Sequence, residues 1–259
     1  MQKAKETVRE PWPWPRIYRL LAEHLGPDQP TYGLFSEREI ALAAGTAPRR
    51  DLPTVPELAR LYLTEVRRIQ PVGPYHIVGY SFGGRIAFEM AQQLHAAGEV
   101  VALLAIIDTL MPGAIRRRPL HWVLWHLTNF LRHGPRHVIA RARDRWGRFP
   151  AVPMDGGPEA TETMRVREDI FRRRVRHRYQ PRPYSGPIVL VRAMGKVYSR
   201  SIRVEPLLGW APLARGTLDV HDLPGTHGGI LSVNAELVAK VLQPHVLARQ
   251  EVGPSSHPR

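Results

Sequence analysis

Residues 100–107 read VVALLAII, an unbroken run of eight apolar residues that ends on Asp108. That length suits a strand and falls far short of the roughly 20 residues a membrane span needs. With no polar alternation, the run fits a strand covered on both faces, as in a parallel sheet. The preceding residues tighten the constraint. YHIVGY (75–80) reads as another strand, and residues 82–97 set Ile86, Ala87, Met90, Ala91 and Leu94 along one helical face, with Gly98 as the stop. The pattern recurs. Residues 18–25 and 54–68 read as helices, 31–34 as a short strand, 41–53 as a loop, 187–193 and 217–223 as strands, and 232–247 as a helix. Strands alternating with helices give an α/β fold whose sheet is mostly parallel and flanked by helices.

Residues 114–178 interrupt the alternation. Both flanks of this insert read as helical, around a Gly/Pro loop at MDGGPE. A helical insert between core strands is a natural lid or docking element. The core is then 18–113 and 179–248, with an irregular N-terminus over 1–17 and a disordered tail over 249–259. The chain carries a net charge of +14, and between Arg116 and Arg178 there are 16 Arg, no Lys and 6 acidic residues. Such an excess attracts acidic partners: nucleic acid, a phosphate-bearing group or an acidic carrier protein. Its bland alternative is a solvated helix face. Cysteine is absent, which excludes disulfides, thiolate metal sites and cysteine nucleophiles. MQKAKETVREPW has no apolar core for a signal peptide, so the expectation is a cytoplasmic protein with no membrane contact.

Gly79, Ser81 and Gly83 spell G-x-S-x-G, a weak signal alone because small residues are common. Its place between a buried strand and an amphipathic helix makes it specific. A serine there occupies the sharp turn called a nucleophile elbow, where neighbouring positions must be small so that strand and helix pack closely. Gly79 and Gly83 meet that need, and Gly84 adds slack. The first turn of the helix would aim the Phe82 backbone N–H at a developing oxyanion. A serine hydroxyl needs a base, and the base needs an orienting carboxylate. Asp108 ends the apolar strand, and His227, in DLPGTHGG, follows the last strand. The chain order is serine, acid, histidine. His76 and His221 lie within strands, away from the loop that returns to the serine.

These stretches resemble the thioesterase domains of polyketide and non-ribosomal peptide synthases, of the α/β-hydrolase superfamily, and are similar to the fatty acid synthase thioesterase. IQPVGPYHIVGYSFGGRIAFEMAQQL (69–94), VALLAIIDTLMP (101–112), YQPRPYSGPIVLVRA (179–193) and LLGWAPLARGTLDVHDLPGTHGGIL (207–231) carry the resemblance, with YRLLAEHLGPDQPTYGL (18–34) before them. The insert matches by position only, as the family's variable lid. The resemblance implies release of an acyl or peptidyl chain from the phosphopantetheine of a carrier protein, by hydrolysis or cyclisation, through an acyl ester on Ser81. His227 would be the base and Asp108 its orienter. No metal or other cofactor is implied. Arg172, Arg173 and Arg174 in the lid would suit an acidic carrier protein or a CoA-like phosphate handle.

One departure stands out. Before Tyr18 the family has an apolar strand and a loop like HPxGG that supplies the second oxyanion N–H. Here that stretch reads REPWPWPRI (9–17), after KAKETV. Pro11, Pro13 and Pro15 have no N–H to donate, and KAKETV is too polar for a buried strand, so no candidate for the family's first strand is visible. Loss of one such donor typically costs about 10²- to 10³-fold in rate. The departure keeps open a catalytically impaired homologue that binds a carrier protein. A general esterase or acyltransferase of the same fold is the other alternative. A nucleic-acid binder explains the charge but not the ordered serine, aspartate and histidine.

Overall fold

The computed structural model describes residues 14–34, 53–117, 127, 131, 179–195 and 202–247. In chain order the elements are α1 (Trp14–Leu25), α2 (Val55–Ile69), β1 (Tyr75–Tyr80), α3 (Phe82–Ala96), β2 (Val101–Ile107), β3 (Ile115–Arg117), β4 (Ile188–Ala193), β5 (Ile202–Val204), β6 (Leu218–Leu223), a 3₁₀ turn (His227–Gly229) and α4 (Ala235–Leu247). One sheet has the order β1-β2-β4-β6, with all three neighbouring pairs parallel. β3 and β5 form a separate antiparallel ladder.

All residues of β2 are buried, and from Leu103 to Ile107 they alternate between two apolar layers. Leu104 and Ile106 pack with Leu58 and Leu63 of α2 and with Ile86, Phe88 and Leu94 of α3. Leu103, Ala105 and Ile107 pack with Leu21 of α1 and with Val238, Ala239 and Leu242 of α4. The unbroken apolar run is thus explained by helices on both faces. α2 opens on a capping box: the Glu57 N–H donates to Thr54 Oγ1 at 3.3 Å, and the Thr54 N–H donates to Glu57 Oε2 at 2.7 Å.

α3 is buried nearly all round and carries buried polar residues, Arg85, Glu89 and Gln92. Each is tied to a neighbouring segment. Arg85 donates to the Leu110 carbonyl and Gln92 to the Arg182 carbonyl. The Tyr179 hydroxyl donates to Glu89 Oε2 at 3.0 Å. Burial, reinforced by the Glu89 carboxylate, pushes the Tyr179 phenol well above its ordinary value, so it remains a donor.

Several expectations are corrected. α1 opens at Trp14 rather than Tyr18; Pro15 fits its first turn, where a missing N–H breaks no helical bond. Residues 31–34 form no strand: Tyr32 is 54% exposed and Leu34 38%, so the segment lacks the cover a strand would need. The insert opens on a strand rather than a helix, since β3 occupies 115–117 and pairs with β5, neither of which the periodicity reveals in so few residues, whereas Leu127 and Leu131 farther along the first flank are helical. Ala114 is fully buried and belongs to the core. The last helix starts at Ala235, after a 3₁₀ turn. The loop at 41–52, most of the lid, and the N-terminal and C-terminal stretches at 1–13 and 248–259 lie outside the described residues. Among the described residues, no helix is long and apolar enough to cross a membrane.

Candidate functional site

The site forms where β1, β2 and β6 reach their carboxyl ends, the rim on which parallel sheets gather functional loops. Ser81 links β1 to α3 with φ 55° and ψ −118°, a conformation costly for a residue with a Cβ. The turn is fixed from several sides. The Ser81 N–H donates to the Ile107 carbonyl at 3.0 Å, and the Thr109 hydroxyl lies 2.9 Å from the Ser81 carbonyl it can donate to. Trp210, fully buried, donates its indole N–H to the Thr109 carbonyl at 2.8 Å.

Close packing explains the glycines. A Cβ on Gly79 would sit 2.6 Å from the Gly83 carbonyl oxygen and 2.7 Å from Ala87 Cβ. A Cβ on Gly84 would run into Thr109 Oγ1, whereas one on Gly83 would lie 3.2 Å from the Tyr18 hydroxyl oxygen. Gly84 therefore does not supply slack. It is the point where α3 presses on the loop after β2, and Gly83 has the looser surroundings.

Asp108 follows β2 with φ 45°, a left-handed conformation that aspartate tolerates better than most residues. Its backbone N–H donates to the Val191 carbonyl at 2.7 Å, and its Oδ1 accepts the Ala193 N–H at 3.0 Å. The carboxylate is 1% exposed, and Oδ2 lies 2.7 Å from His227 Nδ1. An ionised carboxylate only accepts, so the shared proton sits on Nδ1. Nε2 is then left as the acceptor for the Ser81 hydroxyl, 3.0 Å away. The loop after β6 thus brings His227 onto both residues, across a wide sequence separation. Such a chain lets the ring take the serine proton as Oγ attacks a carbonyl carbon, while the carboxylate steadies the resulting imidazolium.

Tyr80 is a residue in contact with His227 that the sequence pattern does not single out. Its hydroxyl donates to the His227 carbonyl at 2.6 Å, and its ring stacks on the imidazole with centroids 4.9 Å apart at 27°. The Tyr80 N–H donates to the Tyr18 hydroxyl at 3.0 Å, which couples α1 to the edge of β1 immediately before the serine. The only sequence signal for Tyr80 was its place before Ser81. Phe82 occupies the first position of α3, as expected for the oxyanion N–H. His76 and His221 remain within β1 and β6. Arg172, Arg173 and Arg174 lie outside the described residues.

The chain is similar to known proteins in sequence and in fold. The malpibaldin synthetase of Mortierella alpina is 33% identical over 215 residues, covering 83% of this chain, while the chain spans 4% of that synthetase. Among solved structures, the NocB thioesterase domain from the nocardicin cluster superposes with a TM-score of 0.60 at 25% identity, covering 89% of this chain and 87% of that one. A four-domain nonribosomal peptide synthetase bound to AMP and glycine gives 0.59 at 27% identity, covering 88% of this chain and 18% of that one. The family model described as the thioesterase domain matches residues 15–245. This chain belongs to the thioesterase domain family, and its fold is that of an α/β hydrolase.

Proposed function

We propose that the chain releases a polyketide or peptidyl acyl group from the phosphopantetheine arm of a carrier protein. Ser81 Oγ attacks the thioester carbonyl as His227 Nε2 takes its proton. The tetrahedral intermediate collapses, and His227 returns the proton to the departing thiolate. The acyl-Ser81 ester then passes to water, giving a free acid, or to a hydroxyl or amine of the same chain, giving a ring. Asp108 holds the productive tautomer throughout. The Phe82 N–H, at the positive end of α3, stabilises the oxyanion. These groups supply every proton transfer the reaction needs, so the reading calls for no cofactor beyond the phosphopantetheine arm. In this reading the arginine-rich segment, including Arg172, Arg173 and Arg174, contacts the acidic carrier or a CoA-like phosphate.

The observation that carries this reading is the continuous hydrogen-bonded chain from Ser81 through His227 to Asp108. It favours an active enzyme over an impaired carrier-binding homologue, because a chain that only binds has no use for a strained serine aligned on a buried Asp–His pair. The test is labelling with a fluorophosphonate probe alongside turnover of a short acyl thioester. Ser81 labels, and both labelling and turnover vanish in Ser81→Ala. A folded wild-type sample that neither labels nor turns over would leave the binding role in place of the enzyme. Turnover of oxygen esters alone would make it a general esterase. Replacing Arg172, Arg173 and Arg174 with Gln weakens carrier-protein binding; unchanged affinity removes them from the contact.

A further inference from the structure

Away from Ser81, three donor side chains converge where β6 begins and α4 ends. β6 runs towards the loop that carries His227, and α4 returns from it, so the last turn of α4 comes back to the strand. Asp219 and His221 are two residues apart on β6 and share a face. His245 lies in the last turn of α4. Asp219 Oδ2 is 2.9 Å from His221 Nε2 and 3.4 Å from His245 Nε2. One ligand atom from each residue falls within 4.8 Å of the others.

These short distances are not hydrogen bonds. His221 Nε2 is closed off from solvent and, among the described residues, makes no hydrogen bond, although a carboxylate oxygen lies 2.9 Å away. A hydrogen-bonded pair aims donor at acceptor. Ligands of a shared ion aim instead at a point between them, leaving neighbouring donor atoms close but misaligned. Two ligand atoms each about 2.0–2.1 Å from a tetrahedral zinc ion stand about 3.3 Å apart, between the two separations seen here. Two imidazoles and a carboxylate are a ligand set suited to zinc, with the remaining position left to water.

We propose that Asp219, His221 and His245 form a binding site for a divalent first-row cation, of which zinc fits best. The ion would staple the start of β6 to the end of α4. It would thereby close the segment that carries His227, without taking part in acyl transfer.

The test titrates the metal-free chain with zinc by calorimetry, and with cobalt, whose visible absorption reports coordination by nitrogen and oxygen. The chain takes up one equivalent at this site, and zinc raises its melting temperature. That equivalent is lost in His221→Gln/His245→Gln and in Asp219→Asn, and kept in His227→Gln, which separates it from zinc held at the Ser81 site. Asp219→Asn is nearly isosteric at a half-exposed position, so it stays informative if the double variant does not fold. A wild-type chain that binds no zinc would overturn the site, as would variants that retain the wild-type stoichiometry.

Discussion

Tyr80 steadies His227 in two ways: its ring covers the imidazole, and its hydroxyl holds the histidine's own backbone carbonyl. Tyr80→Phe keeps the first and deletes the second. A single lost hydrogen bond of about 1 kcal/mol translates to about five- to tenfold in rate if it acts mainly on the transition state. The expected outcome is a lower kcat with little change in KM, measured on a short acyl thioester; a fall in melting temperature with kcat intact would make Tyr80 purely structural. Asp108→Asn is more severe. An amide can present its N–H to Nδ1 and favour the wrong tautomer, so kcat should fall by about 10⁴ while the fold persists, as circular dichroism would check. Ser81, Asp108 and His227 were legible because their order in the chain is itself a signal. Tyr80, Thr109 and Trp210 were not, since their roles rest on contacts made only after the sheet and helices assemble. Gly84 shows the same limit: its presence was readable, but the pressure from Thr109 that requires it was not.

At the scale of elements, α3 organises the molecule through its buried polar side chains as well as its apolar face. Tyr179 stands where the chain re-enters the core and donates to Glu89, which is 6% exposed and also accepts from Gln93. Tyr179→Phe leaves that carboxylate short of a donor and should cost about 1–3 kcal/mol in denaturant unfolding. A second tie joins α2, β1 and the turn before β2. Arg67 donates to Glu99 Oε1 at 2.6 Å and the Tyr75 hydroxyl to Oε2 at 2.8 Å. The Arg67 bond, then the Tyr75 bond, holds the Glu99 carboxyl below its ordinary value of 4.5. A lowered folded-state value means that this stabilisation is complete above about pH 4.5 and is lost as pH falls through the lowered value. Glu99→Gln should therefore lose less melting temperature than wild type between neutral pH and the acid limb; equal losses would show that Glu99 contributes nothing to acid sensitivity. The long elements were readable from periodicity. β3 and β5 were not, because three-residue strands carry too little pattern and exist only by pairing with each other.

At the scale of the whole molecule, the proposed encounter with a carrier protein draws on charge. A net +14 would favour approach of the acidic carrier domain proposed above, and screening shortens such attraction to about 8 Å at physiological salt. Carrier binding followed by fluorescence anisotropy should weaken as salt is raised, while turnover of a small neutral thioester stays nearly level. A salt-independent carrier affinity would remove electrostatics from recognition. The sequence alone determined the α/β architecture, the serine turn and the order of its partners, because these follow from local periodicity, small residues and chain connectivity. Only the tertiary structure decided which face of each strand meets which helices, why Gly84 must be small, what holds the histidine, and that Asp219, His221 and His245 meet. Those depend on the packing of segments far apart in the chain, where the position of one side chain is set by another that no local pattern identifies.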